Sequence, residues 1–291
     1  MRLLHMTDVH FLSLALSRGS LGKRSLGLLN LFLRGRRHYF DADRLVPEAV
    51  QDALGHAPDL FCLTGDITAL SQEVEFAAAR AAFAPLLDCL PSVVVPGNHD
   101  VYTTGAAKGD RFGRHFGGFH GGPEWPGSVR VGEVEVIATN PCRPSLRADG
   151  RFPDGAIAAA EELVRRARAA GRVVVYLVHY PILEQDGEPY RDDGHCLLDL
   201  DPLLESLRRA PPHLLLHGHK HTAYRQRLLA DDGSVVTILG GGSSSALSPR
   251  PDRAAGYFLV DLDAEGVSRV ERRCRQADGS FVRDEALSDP V

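Results

Sequence analysis

Side chains that commonly bind metal ions recur in this sequence directly after short apolar runs. The densest group is HGHKH at residues 217–221, which contains three of the thirteen histidines of the chain. Four other groups are placed in the same way: Asp8 with His10, Asp66, Asn98 with His99 and Asp100, and His179. Carboxylates, imidazoles and an amide without thiolates suit Mn, Fe, Zn, Co or Ni ions rather than copper(I) or a structural zinc site. The sequence therefore predicts a site for divalent metal ions.

The apolar runs that precede these groups are rich in valine, isoleucine and leucine and predict buried strands. The predicted strands span residues 2–6, 60–64, 92–96, 134–139, 172–179 and 213–217. Helical stretches lie between them at 71–90, with Ser71 as the cap, at 154–170, ending at Gly171, and from Asp201 and Pro202 onward. Alternation of strands and helices predicts a layered α/β fold.

After residue 223 the sequence becomes strand-like. The segments AYRQRLLA, SVVTILG, AGYFLVDLD and VSRVERRCR are separated by Asp-Gly, Gly-Gly and Glu-Gly turns, which indicates an antiparallel or mixed second sheet. We expect one domain over residues 1–291, a four-layer α-β-β-α sandwich of two mixed sheets flanked by helices. The low-complexity run GGGSSSAL at 240–247 is typical of a flexible hairpin connection, and a mobile loop at the substrate is the alternative.

The polar groups fall just past the carboxyl ends of the predicted strands, where an open α/β sheet gathers its functional side chains. Five such groups facing one crevice supply more ligands than one metal ion needs. Two ions roughly 3.5 to 4 Å apart that share Asp66 as a bridge use all of them. Such a pair stabilises the attacking and leaving oxygens of an in-line phosphoryl displacement. Hydrolysis of a phosphate ester is therefore the predicted chemistry.

The chain resembles the calcineurin-like metallophosphoesterases, because five sequence blocks of that family occur here in order. The family pattern DxH, GD, GNHD, H and GHxH is matched by residues 8–10, 65–66, 97–100, 179 and 218–221, so that the resemblance extends over residues 1 to about 223. It implies two divalent ions. The first ion takes Asp8, His10, Asp66 and His221, and the second takes Asp66, Asn98, His179 and His219. His217 is not a ligand in the family pattern.

The forms LTGDIT and VVPGNHD are most similar to the bacterial cyclic-nucleotide phosphodiesterase branch of that family. The resemblance implies hydrolysis of a phosphodiester, with a cyclic nucleotide as one candidate, by hydroxide held at the metals. His99 is the candidate for protonating the leaving oxygen, and Asp100 for fixing the tautomer of His99 by accepting its other ring proton.

Other activities remain open at this point. One alternative is a UDP-2,3-diacylglucosamine pyrophosphohydrolase-like enzyme, although that branch usually has GNRD where this chain has His99. A generic phosphomonoesterase or a nuclease is another. A metal-free binding scaffold, as in the retromer subunit of this fold, is the alternative outside enzymes, and the chemically competent ligand positions argue against it.

The amino-acid composition indicates in which cellular compartment the protein is expected. The chain has 44% hydrophobic residues, enough for a substantial core, and five scattered cysteines without a CxxC pair. Such cysteines indicate neither a disulfide framework nor a thiolate zinc site, which favours a reducing compartment. No apolar run approaches the roughly 18 residues of a membrane-spanning helix. We expect a cytoplasmic protein, with peripheral attachment to a membrane as the alternative.

Residues 11–40 differ from the rest of the chain in charge. They contain six basic and no acidic residues in a chain of net charge −5, so the remaining residues carry −11. Leucines among the arginines are typical of an interfacial helix on an anionic membrane or of a lid over an acyl-bearing substrate. We favour packing on the core or on a second subunit of a homodimer, because further leucines widen the apolar stripe. The negative remainder argues against extended nucleic acid, so the expected partner is a small phosphoester.

Overall fold

The computed structural model describes residues 1–13, 39–101, 103–145 and 147–289. Strands in these ranges form two mixed sheets of six strands each. They are β1 (Arg2–Met6), β2 (Leu60–Thr64), β3 (Ser92–Val95), β4 (Gly127–Val131), β5 (Val134–Ala138), β6 (Val173–Leu177), β7 (Leu214–His217), β8 (Ala223–Leu229), β9 (Val235–Gly241), β10 (Gly256–Asp263), β11 (Gly266–Arg275) and β12 (Phe281–Arg283).

The strand order brings the polar groups to one end of each sheet. The first sheet has the order β12-β11-β10-β1-β2-β3 and the second the order β4-β5-β6-β7-β9-β8. Strands β1, β2 and β3 are parallel to one another, as are β5, β6 and β7. Met6 is paired with Leu63, and Thr64 with Val95, so the carboxyl ends of these strands are nearly level. The loops that follow them therefore meet at one edge.

Helices cover the outer face of each sheet. They are α1 (Ala42–Leu54), α2 (Glu73–Ala82), α3 (Ala84–Leu87), α4 (Thr104–Lys108), α5 (Arg111–Phe116), α6 (Ala156–Ala169) and α7 (Leu200–Arg209), with 3₁₀ turns at Gly117–Phe119 and Pro251–Arg253. Apolar residues of α1, α2, α3 and α5 pack on the first sheet, and those of α6 and α7 pack on the second. This arrangement explains why the central strands are apolar on both faces.

A third apolar cluster lies between the two sheets. It includes Leu3 and Cys62 of the first sheet and Val136, Val175 and Leu216 of the second, all with no exposed surface. The layers are thus helix, sheet, sheet and helix. The predicted fold class is confirmed.

The position of the C-terminal strands differs from the prediction. We expected the strands after residue 223 to form a second sheet of their own, but they are divided between the two sheets. Strands β8 and β9 extend the second sheet, and β10 to β12 extend the first through antiparallel pairing of β10 with β1. The open edges of β1 and β7 need partners, and the C-terminal part of the chain supplies them as β10 and β9.

The helix predicted over residues 71–90 is interrupted. It consists of α2 and α3, with Phe83 between them and Pro85 in the first turn of α3. Proline has no N–H to donate to the preceding turn, which explains the interruption. Ser71 is not the cap: its φ is 53°, and the cap is the next residue, Gln72, whose N–H donates to Glu75 Oε2 at 2.9 Å.

Two other points concern the membrane and the basic segment. Among the described residues, no helix is both long and apolar enough to cross a bilayer. Of the segment 11–40, residues 14–38 lie outside the described ranges, so the interpretations of that segment stay predictions.

Candidate metal centre

All seven predicted ligands lie at the shared edge of the two sheets. They follow β1, β2 and β3 of the first sheet and β6 and β7 of the second. Most are buried: Asp8 and His179 have no exposed surface, and Asp66 is 1% exposed. The structure thus brings together residues that are more than two hundred positions apart in the sequence.

Four of these residues form a first donor set. Asp8, His10, Asp66 and His221 each offer one oxygen or nitrogen, and these atoms all lie within 4.8 Å of one another. His10 Nε2 lies 2.9 Å from His221 Nε2, and His221 Nε2 lies 3.2 Å from Asp8 Oδ1. Two imidazole nitrogens and two carboxylates that point at one another have lone pairs directed to a common centre, as ligands of one cation do.

A second donor set shares Asp66 with the first. Asp66, His179 and His219 offer atoms within 4.8 Å of one another. Asn98 Oδ1 joins them, at 2.9 Å from His219 Nδ1 and 3.2 Å from His179 Nε2. Asp66 Oδ1 lies 3.4 Å from His179 Nε2, while its Oδ2 lies 3.7 Å from His10 Nε2. The two oxygens of Asp66 therefore face different donor sets, which is the geometry of a bridging carboxylate.

Main-chain carbonyls fix which ring nitrogen of each histidine faces the second set. His179 Nδ1 donates to Thr64 O at 2.7 Å, so its Nε2 faces Asp66. His219 Nε2 donates to the carbonyl oxygen of His195 at 2.8 Å, so its Nδ1 faces Asn98. A hydrogen bond of this kind holds a ligating histidine in the correct tautomer and orientation.

The electrostatics around Asp66 and His179 favour positive charge. Burial lowers the pKa of His179, but the adjacent Asp66 outweighs burial and raises that pKa to about 9. Burial raises the pKa of Asp66, but the neighbouring His179 and His99 outweigh it and hold the pKa well below its usual range. A buried site that stabilises a carboxylate and attracts a proton also attracts a cation, which competes with that proton. The residues present therefore fit two divalent ions.

The backbone is strained at the predicted ligands. Asp8, His10, Asp66, His219 and His221 have φ values of 52°, 51°, 49°, 74° and 52°. Residues other than glycine rarely adopt this left-handed conformation, and it persists only where the surrounding structure enforces it. Its recurrence at five of seven predicted ligands indicates that the loops are shaped by the site.

Two glycines of the sequence blocks leave room for the carboxylates. A Cβ atom on Gly218 would lie 2.1 Å from Asp8 Oδ2, and one on Gly97 would lie 2.2 Å from Asp66 Oδ1. Neither distance is compatible with any side chain. The glycines before the histidine and asparagine ligands are therefore required by the close approach of neighbouring loops.

The expected hydrogen bond from the His99 ring to Asp100 is not formed. His99 Nδ1 donates to Ala69 O at 2.8 Å, so a main-chain carbonyl and not Asp100 fixes its tautomer. The Asp100 carboxylate instead accepts from the N–H groups of Gly97 and Thr68 at 2.8 and 2.9 Å. Asp100 thus ties the loop after β3 to the loop after β2. Burial and the nearby Asp66 raise the pKa of Asp100 to about 7.

His99 remains well placed beside the donor sets. The centre of its ring lies 5.0 Å from that of His10, and its main-chain N–H donates to Asp66 Oδ1 at 2.8 Å. His217, by contrast, belongs to neither set. It is fully buried, its Nδ1 lies 3.1 Å from Gly218 O, and burial lowers its pKa to about 4.

An open pocket of about 270 Å³ lies above the donor atoms. It is lined by Asp66, Asn98, His99, Ala148, Tyr190, Asp192, His195, His219, Lys220 and His221. Part of its outer wall is formed by Tyr190, Asp192 and His195 of the segment 184–195, which the sequence analysis did not connect with the site. Lys220 holds this wall in place, because its Nζ lies 2.6 Å from Glu184 Oε2 and 4.4 Å from the centre of the Tyr190 ring.

Phe40 covers the other side of the first donor set. The centre of its ring lies 4.5 Å from that of His10 and 5.1 Å from that of His221. Such packing restricts the orientation of both imidazoles. Its sequence neighbourhood gave no signal for this contact, because it depends on how the chain returns to the sheet edge.

The family of the chain follows from comparison with known proteins. The calcineurin-like phosphoesterase family model matches residues 1–223. That range ends just after the two histidines that follow β7. Among curated proteins, none matches the sequence significantly.

Solved structures of low sequence identity share the fold. A dimetal phosphatase from Danio rerio has a TM-score of 0.59 at 13% identity, covering 99% of this chain and 97% of its own. A purple acid phosphatase from yellow lupin seeds has a TM-score of 0.59 at 13% identity, and covers 97% of this chain and 52% of its own.

The 5′-nucleotidase precursor from Thermus thermophilus has a TM-score of 0.55 at 17% identity and covers 94% of this chain and 53% of its own. The chain thus spans about half the length of the acid phosphatase and of the nucleotidase. At these identities the comparisons show the fold alone.

The shared position of Asp66 predicts a distinctive loss of metal. We expect Asp66→Asn to bind fewer than about one ion per chain, because both sets lose their common anionic ligand, while His221→Ala retains about one ion. Elemental analysis after metal loading and dialysis measures this. Asp192→Asn, which removes a carboxylate from the same pocket but not from either set, is the control and keeps the wild-type metal content. Full metal content in Asp66→Asn would show that this carboxylate does not bridge.

Proposed function

Because the chain belongs to the calcineurin-like phosphoesterase family, we propose that it is a metal-dependent enzyme that hydrolyses a small phosphodiester. Calcineurin-like phosphoesterases use two divalent metal ions. The observation that supports the proposal most directly is the pair of donor sets that share Asp66 at the floor of one pocket. A cyclic nucleotide is one candidate substrate.

Each donor set would hold one of the two metal ions. One ion would be held by Asp8, His10, Asp66 and His221, and the other by Asp66, Asn98, His179 and His219. Bound divalent ions lower the pKa of water toward 7 and neutralise charge on a phosphoryl group, which supplies a nucleophile at neutral pH. The chain then needs no nucleophilic side chain of its own. The carbonyls of Thr64 and His195 keep the histidine rings aligned throughout.

We assign to His99 the role of protonating the leaving oxygen. Its ring lines the pocket beside both donor sets, and its Nδ1 proton is committed to Ala69 O. Proton exchange with a substrate therefore falls to Nε2. With Nδ1 also protonated, the imidazolium form of His99 would donate its Nε2 proton to an alkoxide leaving group and return to the neutral ring, which lowers the barrier for cleavage of an unactivated ester.

The size and charge of the pocket support a small substrate. A volume of about 270 Å³ is slightly below the roughly 300 Å³ at which the usual range for small-molecule sites begins. The net charge of −11 outside residues 11–40 opposes binding of an extended polyanion. Among the described residues that line this pocket, Lys220 is the one lysine or arginine, and its ammonium group is paired with Glu184.

A hydrolysis panel on metal-reconstituted protein tests the proposal. We expect turnover of bis-nitrophenyl phosphate above that of nitrophenyl phosphate, since the proposed substrate is a diester. We also expect turnover of cyclic AMP, whose alkoxide leaving group His99 can protonate. UDP-diacylglucosamine is the fourth substrate. Preference for nitrophenyl phosphate would favour a phosphomonoesterase, and preference for UDP-diacylglucosamine would favour the pyrophosphohydrolase alternative. Failure to hydrolyse any of the four substrates would contradict the proposed enzymatic activity.

The role of His99 predicts an effect that depends on the leaving group. We expect His99→Ala to lower turnover roughly 10²-fold or more on an alkyl phosphodiester, but much less on a nitrophenyl ester, whose leaving group needs no proton. Steady-state rates with both substrates measure this. His195→Ala removes another imidazole from the same pocket and is the control, with small and similar effects on both. Equal losses of turnover on both substrates in His99→Ala would argue against His99 as the general acid.

For residues 11–40, we propose packing on the core or on a second subunit, and contact with an anionic membrane or an acyl-bearing substrate is the alternative to test. If the alternative holds, the six basic residues predict flotation with anionic vesicles at low salt that falls at high salt, since salt screens the attraction. A variant with Arg34, Arg36 and Arg37 changed to glutamine is the control, and we expect it to float less. Absence of flotation under both conditions would reject membrane contact.

A further inference from the structure

The serine run after β9 is buried against the turn that carries Asp8 and His10. Ser243, Ser244 and Ser245 have no exposed surface. The Ser244 N–H donates to Thr7 O at 2.9 Å, which holds the run alongside the end of β1. The low-complexity sequence GGGSSSAL therefore does not form an exposed hairpin connection, as the sequence analysis favoured, or a mobile loop.

Two of these serines donate to carbonyls of the metal-binding turn. The Ser243 hydroxyl donates to Asp8 O at 2.7 Å, and the Ser245 hydroxyl donates to Val9 O at 2.6 Å. The N–H groups of the same turn are bound from the opposite side, where Asp8 N donates to Gly65 O and His10 N donates to Asp66 O, both at 3.0 Å. The turn is thus fixed through its donors by one loop and through its acceptors by the serines.

This turn needs such support because of its conformation. Asp8 and His10 have φ values of 52° and 51°, and non-glycine residues keep left-handed conformations only where their surroundings enforce them. The buried Asp8 and Val9 carbonyls also need hydrogen-bond donors, since an unpaired buried carbonyl is unfavourable. Ser243 and Ser245 meet both needs with short side chains.

The glycines before the serines explain how the run approaches β1 so closely. A Cβ atom on Gly241 would lie 2.5 Å from Thr7 Cγ2 and 2.8 Å from the His5 ring. A Cβ atom on Gly240 would lie 2.9 Å from the His217 ring. Only glycine fits at these positions, so the composition of the run follows from close packing beneath the site.

We propose that Ser243 and Ser245 are positioning residues for the first metal ion, which hold the turn from Asp8 to His10 in its ligating conformation. The inference rests on the proposed function only in that Asp8 and His10 bind an ion. Neither hydroxyl contacts a donor atom; each acts through the main chain of the turn.

Metal titration of the full-length chain tests this role. Ser243→Ala and Ser245→Ala, singly and together, are titrated with Co²⁺ alone, and the absorption of the bound ion is followed. His221→Ala and Asn98→Ala identify the steps that belong to the first and second donor sets. Ser92→Ala is the control, because Ser92 is also buried and its hydroxyl donates to Leu90 O at 2.9 Å, but it lies at the opposite end of its strand from the site.

We expect the serine variants to lower affinity at the first set by roughly 10-fold to 100-fold, as loss of partners that orient ligands does, with much smaller change at the second. Ser92→Ala should change neither. Thermal unfolding without metal identifies a variant that does not fold, and the other serine variant then decides. An unchanged first step, or equal losses at both steps, would overturn the inference. A wild-type chain that binds fewer than two ions would instead overturn the proposed function, before any variant is made.

Discussion

The structure depends on a convergence of buried lone pairs. Imidazole nitrogens of His10 and His221 lie 2.9 Å apart beside two carboxylates, and a second group shares one of those carboxylates. Such an arrangement is unfavourable without positive charge, because lone pairs at these distances repel and burial removes the water that would separate them. Two cations relieve the repulsion. The remaining features of the sheet edge serve to keep these atoms directed at one another despite that repulsion.

Hydrogen bonds between loops hold the atoms in place more than packing within any one loop does. Asp100 joins the loops after β2 and β3, the carbonyls of Thr64 and His195 orient two histidines, and two buried serines fix the first turn. The loops after β1, β2 and β7 carry ligand residues in left-handed conformations. Together they over-determine one geometry, which is how left-handed conformations persist at functional sites. The parallel strands beneath supply the rigid base.

Much of this could be predicted from particular residues. The central strands were placed to within two residues at each end, because valine and leucine runs bounded by glycine or polar groups are unambiguous in a buried sheet. Strand β4 and helix α1 were missed, since GSVRV is short and half exposed and α1 follows a segment without clear helical signals. Strands β8 to β11 were recognised but expected together in one sheet, whereas they are divided between the two sheets, because strand pairing over such separations leaves no local pattern.

The sequence by itself determined the chemistry: residue types and their order in five blocks indicated two metal ions, a shared Asp66 and phosphate-ester hydrolysis. Tertiary structure decided how those residues are held. The contact of His99 with Ala69 in place of Asp100, the outer wall at residues 184–195 and the support from Ser243 and Ser245 all join segments distant in sequence. Which residues can bind a metal ion depends on their side-chain types, and these are given directly by the sequence. Hydrogen bonds to main-chain carbonyls are independent of the residue that carries the carbonyl, so only the folded chain reveals them.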